Sequence, residues 1–175
     1  MTRCLPMMVA IIWAAGAGAS AAEPSVPLFE GLGTTGRKVT TSSAAAQQYF
    51  DQGLCFLFAF NHDEAIRSFR QATELDPKCP MAWWGIALAN GPHINNPVLP
   101  PERNRMALEA LAKAEELDST GSASEQALIA ALATRYAASP PDDRKALDEA
   151  YAGAMRNVWK KYPDDADSAA CLPNR

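Results

Sequence analysis

Residues 46–79 read AQQYFDQGLCFLFAFNHDEAIRSFRQATELDPKC and place small and aromatic residues at the spacing of a helix–turn–helix repeat of about 34 residues. With Ala46 as repeat position 1, the matching positions are 4, 8, 11, 20, 24, 27 and 32, occupied by Tyr49, Gly53, Phe56, Ala65, Phe69, Ala72 and Pro77. Position 7 departs from the pattern, because it is Gln52. The stretch predicts two packed antiparallel helices of this repeat class, and an unrelated helix pair is the alternative.

The physical basis of the pattern is a close helix–helix contact. Gly53 has no side chain, so the second helix can approach the first there, and aromatic residues fill the space around the contact. Residues 61–63, Asn-His-Asp, predict a turn in which Asp63 caps the second helix. Pro77 ends that helix, because proline disfavours helix in the residue before it. We expect helices over about 44–60 and 63–75.

Two further repeats follow with weaker matches. The second, 80–119, starts with Trp83, Ile86 and Ala87 at positions 4, 7 and 8. It breaks at residues 90–92, Asn-Gly-Pro, which begin an inserted loop over about 90–101. Residues 120–163 form a degenerate third repeat, and 171–175 are a tail without helical pattern. No polar capping helix is visible after it, so we expect a C-terminally truncated chain.

Three segments carry a family resemblance: 49–54 (YFDQGL), 60–65 (FNHDEA) and 81–85 (MAWWG). Together they resemble an exported bacterial family of tetratricopeptide (TPR) repeat proteins, over roughly residues 28–167. The resemblance implies an all-α fold, a TPR-type α-solenoid of about three antiparallel helix pairs within residues 43–170. It is specific for the fold and implies no reaction.

Composition agrees with an all-α protein and excludes one class of function. The chain has 175 residues, 48% of them hydrophobic, and a net charge of −4. Lysine and arginine do not cluster, and an acidic chain is a poor binder of nucleic-acid phosphates. We therefore expect no nucleic-acid partner.

The N-terminus predicts export. Arg3 precedes an apolar run over 5–15, and small residues at 19–22 provide a cleavage site, so 1–22 is a predicted signal peptide. A retained N-terminal anchor is the alternative. The mature protein would be periplasmic or extracellular, without a membrane span, and would begin with an irregular segment over 23–42, the lead-in.

Export affects the interpretation of the cysteines. Cys4 leaves with the signal peptide, and the mature chain keeps Cys55, Cys79 and Cys171. An odd number of cysteines in an oxidising compartment implies a free thiol or an intermolecular bond. A Cys55–Cys79 disulfide is one alternative, and a buried structural role for Cys55 is the other.

The resemblance also indicates a binding surface. In that geometry the first helix of each repeat lines a concave groove, here with Phe50, Leu54, Leu57, Phe58, Met81, Trp84 and Leu88. These residues are apolar, which indicates a protein or peptide partner. Cover by the lead-in or by later repeats is the alternative.

The two histidines, His62 and His93, lie at inter-helix turns that can be neighbours in a solenoid. With Asp63, Glu64 and Asn95 nearby they are a weak candidate for a metal site, since no metal-binding spacing is present. Paired catalytic carboxylates and nucleophile motifs are absent from the sequence as well. We expect no metal, no cofactor and no catalysis.

The function predicted from sequence is a protein-interaction scaffold that uses the apolar groove. Two alternatives are the helical portion of a larger exported enzyme and a small-molecule or metal binder at the 90–101 loop.

Overall fold

The computed structural model describes residues 26–33, 36–93 and 95–165, and this part of the chain is helical, without a β-strand. The predicted signal peptide, Cys4, Cys171 and the predicted tail lie outside the described residues. The helices are α1 Ala44–Phe58, α2 His62–Leu75, α3 Pro80–Asn90, α4 Pro101–Glu116, α5 Ala123–Ala133 and α6 Lys145–Lys161. A short 3₁₀ turn, Asp118–Thr120, joins α4 to α5.

The helix starts follow local capping rules. Ser43 caps α1, since its side chain accepts a hydrogen bond from the Ala46 backbone N–H. At α5, Ser122 and Glu125 form a reciprocal capping box. The prediction that Asp63 caps α2 is wrong: the N-cap is Asn61, without a side-chain bond, and Asp63 pairs with Arg103 of α4.

Helices that are neighbours in the chain pack against each other, and α5 also packs against α3. A close contact between three helices surrounds Phe69 of α2. A Cβ built on Gly53 of α1 would lie 2.6 Å from the Phe69 ring, and one built on Gly85 of α3 would lie 2.7 Å from it. Phe69 itself is fully buried. Two glycines therefore let α1 and α3 close on one aromatic ring of the helix between them.

The lead-in is irregular in its described part but is held by side-chain hydrogen bonds. Thr40 donates to Glu125 of α5 through its backbone N–H at 2.7 Å and its hydroxyl at 2.6 Å. Thr41 donates to Asp76, just after α2, at 2.5 Å. Arg37 forms an ion pair with Asp165, beyond α6. The lead-in thus connects the ends of three helices that are distant in sequence.

The structure decides one of the alternatives for the cysteines. No disulfide bond joins Cys55 and Cys79. Cys79 is buried, and burial raises the pKa of its thiol to about 11, which makes it unreactive near neutral pH. Among the described residues, no helix has both the length and the apolarity needed to cross a membrane.

Candidate functional site

The predicted groove residues lie mainly in the core. Phe50, Leu54, Leu57, Met81 and Trp84 are at most 8% exposed, while Phe58 and Leu88 are half-buried and pack against the same core. A buried side chain has no surface to offer to a partner. Within the described residues, most of these seven side chains therefore offer no open apolar surface.

Two contacts show how the groove is filled. The indole N–H of Trp84 donates to the backbone carbonyl of Leu128 in α5 at 3.3 Å, so α5 packs over α3. The rings of Phe50 and Phe69 lie 5.4 Å apart, centroid to centroid, so Phe50 faces α2. The Trp84 contact agrees with the alternative of cover by later repeats, whereas the Phe50 contact lies within the first repeat.

The structure brings the two histidines together. His62, the first residue of α2, and His93, in the loop after α3, stack with ring centroids 4.0 Å apart and planes at 22°. They are 31 positions apart in sequence, and the loop containing His93 folds back through two backbone hydrogen bonds between His93 and Asn96. Glu64 instead pairs with Arg67, and Asn95 is exposed.

Two arginines flank the histidine pair, and neither was predicted from the sequence as a site residue. Arg103 of α4 pairs with Asp63, next to His62, and also donates to Asn90 at 3.5 Å. Arg135, which follows α5, donates to the backbone carbonyl of Pro92, next to His93. Neither arginine belongs to a local motif, so only the packing of α4 and α5 against the turns could identify them.

Burial and nearby charge favour the neutral form of both histidines. Burial lowers the pKa of His62, and the charges of His93, Arg103 and Arg135 lower it further, whereas Asp63 raises it. Burial also lowers the pKa of His93, as do Arg103 and Arg135. The geometry is poor for a shared metal ion, because parallel stacked rings do not direct their lone pairs to one point. Among the described residues, no group of three or more His, Cys, Asp and Glu side chains is placed to hold a metal ion.

An open cleft of about 1200 Å³ lies beside this cluster, between residues 97–101 and residues 140–156. We call it the proline-edged cleft, because Pro97, Pro101, Pro140 and Pro141 stand along its sides. Val98 is 69% exposed on one wall. On the other wall, Arg144 and Asp148 approach to 3.9 Å, and Lys145 and Glu149 to 4.0 Å. Arg144 connects the cleft to Arg135, because its guanidinium donates to the backbone carbonyl of Arg135 at 2.7 Å.

A scan against protein-family models and searches of curated proteins and of solved structures each found no match to this chain.

Proposed function

We propose that this protein is an exported TPR-type scaffold, without catalytic activity, that binds a protein partner through an extended peptide segment in the proline-edged cleft. Export is inferred from the predicted signal peptide at residues 1–22. We place the partner surface in the cleft rather than at the predicted groove residues, because those residues are mostly buried and the cleft offers exposed apolar side chains.

The helix contacts support the TPR-type assignment. Phe69 and Gly53 stand at repeat positions 24 and 8 and pack directly on each other across α1 and α2. Ala107, Leu111 and Ala114, at positions 20, 24 and 27 of the second repeat, are all at most 4% exposed. These are the small and bulky residues that the repeat pattern requires between its helices.

The size of the cleft favours a peptide over a small ligand. Small-molecule pockets are usually enclosed spaces of about 300–1000 Å³ that bury most of the ligand. The proline-edged cleft is larger and open to solvent on one side. A peptide can lie along such a surface and extend beyond it.

The chemistry of the cleft walls defines the expected partner. Cations and acids on the α6 wall largely pair with one another, as Arg144 does with Asp148 and Lys145 with Glu149. The wall therefore has no strong net charge to select an ionic partner. Val98, by contrast, exposes most of its apolar side chain. Exposed Val98 is the observation that carries the proposal, and we expect the partner segment to place an apolar residue against it.

A selection of phage-displayed random peptides on the purified protein tests this proposal. We expect enriched peptides that share an apolar residue. Val98→Asp should weaken their affinity by at least about tenfold, because the charge would lose hydration on binding. Fluorescence anisotropy of labelled peptides measures the change.

Leu75→Asp is the matched control. Leu75, at the end of α2, is 38% exposed and does not line the cleft. Its substitution should leave peptide affinity unchanged. Failure to enrich any peptide, or equal binding by the Val98→Asp protein, would reject the cleft as the partner site.

A further inference from the structure

The histidine–arginine cluster contains buried polar atoms without partners. Within the part of the chain that the structure describes, both ring nitrogens of His62, Nδ1 of His93 and Nε of Arg135 are buried and make no hydrogen bond. A buried polar atom without a partner is unfavourable. Four of them on three neighbouring side chains indicate a binding site for a polar ligand more strongly than a single such atom would.

At least two of the four unpaired atoms are donors. Nε of an arginine can only donate, and a neutral imidazole always carries one N–H. Since both nitrogens of His62 are unpaired, one of them is an unsatisfied donor in either tautomer. The complementary ligand must therefore accept hydrogen bonds.

The charge of the cluster points the same way. Arg103 and Arg135 bring two positive charges, and Asp63 is the carboxylate that pairs with one of them. The Arg135 guanidinium lies over the Tyr151 ring, 4.8 Å from its centroid, a contact that does not neutralise its charge. That charge would repel a cation and attract an anion. Guanidinium groups also match the geometry of carboxylates and phosphates.

We propose that His62, His93, Arg103 and Arg135 form a binding site for a small oxyanion, a carboxylate or a phosphate group, where the loop after α3 meets the start of α2. This site is separate from the proline-edged cleft, and it does not depend on the peptide-binding proposal.

Asp63 shows how such a ligand enters. Its side chain is 78% exposed, yet it pairs with Arg103, whose side chain is 34% exposed. Ion pairs at this level of exposure contribute little stability, so a competing anion can displace Asp63 at small cost. The Asp63 carboxylate is thus an internal substitute for the ligand at the outer edge of the site.

Gly91 allows Arg135 and Tyr136 to pack closely on the inner side of the site. A Cβ built on Gly91 would lie 3.1 Å from Nη1 of Arg135 and 2.5 Å from the hydroxyl of Tyr136. The absent side chain lets the Arg135 guanidinium lie against the loop that carries His93.

Oxyanion binding must depend on pH. The charged groups that face the histidines are Arg103 on α4, Arg135 after α5 and Asp63 on α2. In the free protein these surroundings lower the pKa of both rings, whereas a bound anion favours their protonated forms. Binding is therefore tighter below the ordinary histidine pKa of about 6.5 than above it.

Titration of the protein with inorganic phosphate, and separately with acetate, tests the proposal, with sodium chloride at matched ionic strength as the reference. We expect saturable shifts of the histidine ring signals in NMR spectra and saturable heat by calorimetry. For acetate, whose charge is the same at both pH values, we expect tighter binding at about pH 6 than at about pH 8. A response to phosphate alone or to acetate alone would identify the preferred oxyanion. Equal behaviour in chloride would overturn the site.

Three variants separate a built site from general charge. Asp63→Asn removes the internal competitor and should strengthen binding several-fold. Arg135→Gln should weaken it by about tenfold or more. Arg105→Gln is the matched control, because Arg105 is 61% exposed and pairs with Glu109; it should have no effect.

An equal response of the Arg135 and Arg105 variants would refute the proposal. If Arg135→Gln does not fold, the Asp63→Asn protein still decides. The proposal fails if this variant binds the anion no more tightly than the wild type does.

Discussion

The side-chain oxygen of Gln52 accepts a hydrogen bond from the backbone N–H of Phe29 at 2.8 Å. The amide nitrogen of the same side chain donates to the Pro27 carbonyl at 3.0 Å and to the Ser68 hydroxyl at 3.1 Å. Gln52 is only 4% exposed. The one residue that breaks the repeat pattern in α1 therefore holds the lead-in against α1 and α2.

Gln52→Leu restores an apolar residue at the repeat position but removes these bonds. We expect a loss of about 1–3 kcal/mol in the free energy of unfolding, because partly buried groups are left without partners. We also expect faster hydrogen exchange at the Phe29 amide. Urea denaturation and exchange mass spectrometry measure the two effects.

Gln48→Leu is the control for that change, since Gln48 lies on the exposed side of the same helix. It should leave both quantities near their wild-type values. A Gln52→Leu protein with unchanged exchange at Phe29 would show that the lead-in is held by other contacts.

Gly53 and Gly85 should tolerate no side chain. Alanine normally stabilises a helix interior by about 1 kcal/mol relative to glycine. Here the added methyl would overlap the Phe69 ring, and overpacking costs about 1–3 kcal/mol. We expect Gly53→Ala and Gly85→Ala to lower the free energy of unfolding in urea denaturation.

Gly153 provides the opposite case within the same protein. It lies inside α6, and a Cβ built there meets no atom within 4 Å. Gly153→Ala should therefore stabilise the protein by about 0.5–1 kcal/mol. The same sign of effect at all three glycines would contradict the close contacts at Phe69.

Glu125 should make stability depend on pH. Burial by itself raises the pKa of this carboxyl, but hydrogen bonds from Thr40 and Ser122 outweigh burial and lower it. The stabilisation is present above the unfolded-state pKa of about 4.3 and is lost as pH falls through the lower folded-state value. Glu125→Gln should cost about 1.5–3 kcal/mol at neutral pH, as expected for bonds to a charged group.

The difference between the wild type and Glu125→Gln should shrink in acid, as measured by urea denaturation at a series of pH values. Glu109→Gln is the control, because the Glu109 side chain is 62% exposed and its ion pair contributes little. A gap for Glu125→Gln that stayed constant down to about pH 3 would contradict the lowered pKa.

Local pattern was a good guide where neighbouring residues decide the structure. The repeat in residues 46–79 predicted two helices, and α1 and α2 occupy Ala44–Phe58 and His62–Leu75. The capping box at Ser122 and Glu125 also has a sequence signal, a serine followed three residues later by a glutamate. A search for that signal would have found the start of α5.

Pattern was a poorer guide to contacts between repeats. Ala87, at the small position of the second repeat, is fully buried, as the pattern requires. Gly85, two residues earlier in α3, lies against Phe69 of the preceding repeat, and the spacing within one repeat does not predict that contact.

The sequence by itself determined that the chain is helical, where its first helices lie and that Phe69 needs a small residue opposite, because these depend on spacing over a few turns. Only the tertiary structure decided that Phe50 and Trp84 are buried, and that His62 stacks on His93 between two arginines. Those features depend on how α4, α5 and the lead-in pack against the other helices. Contacts between distant segments are set by the packing of the whole core, and the spacing of residues over a few helical turns does not predict them.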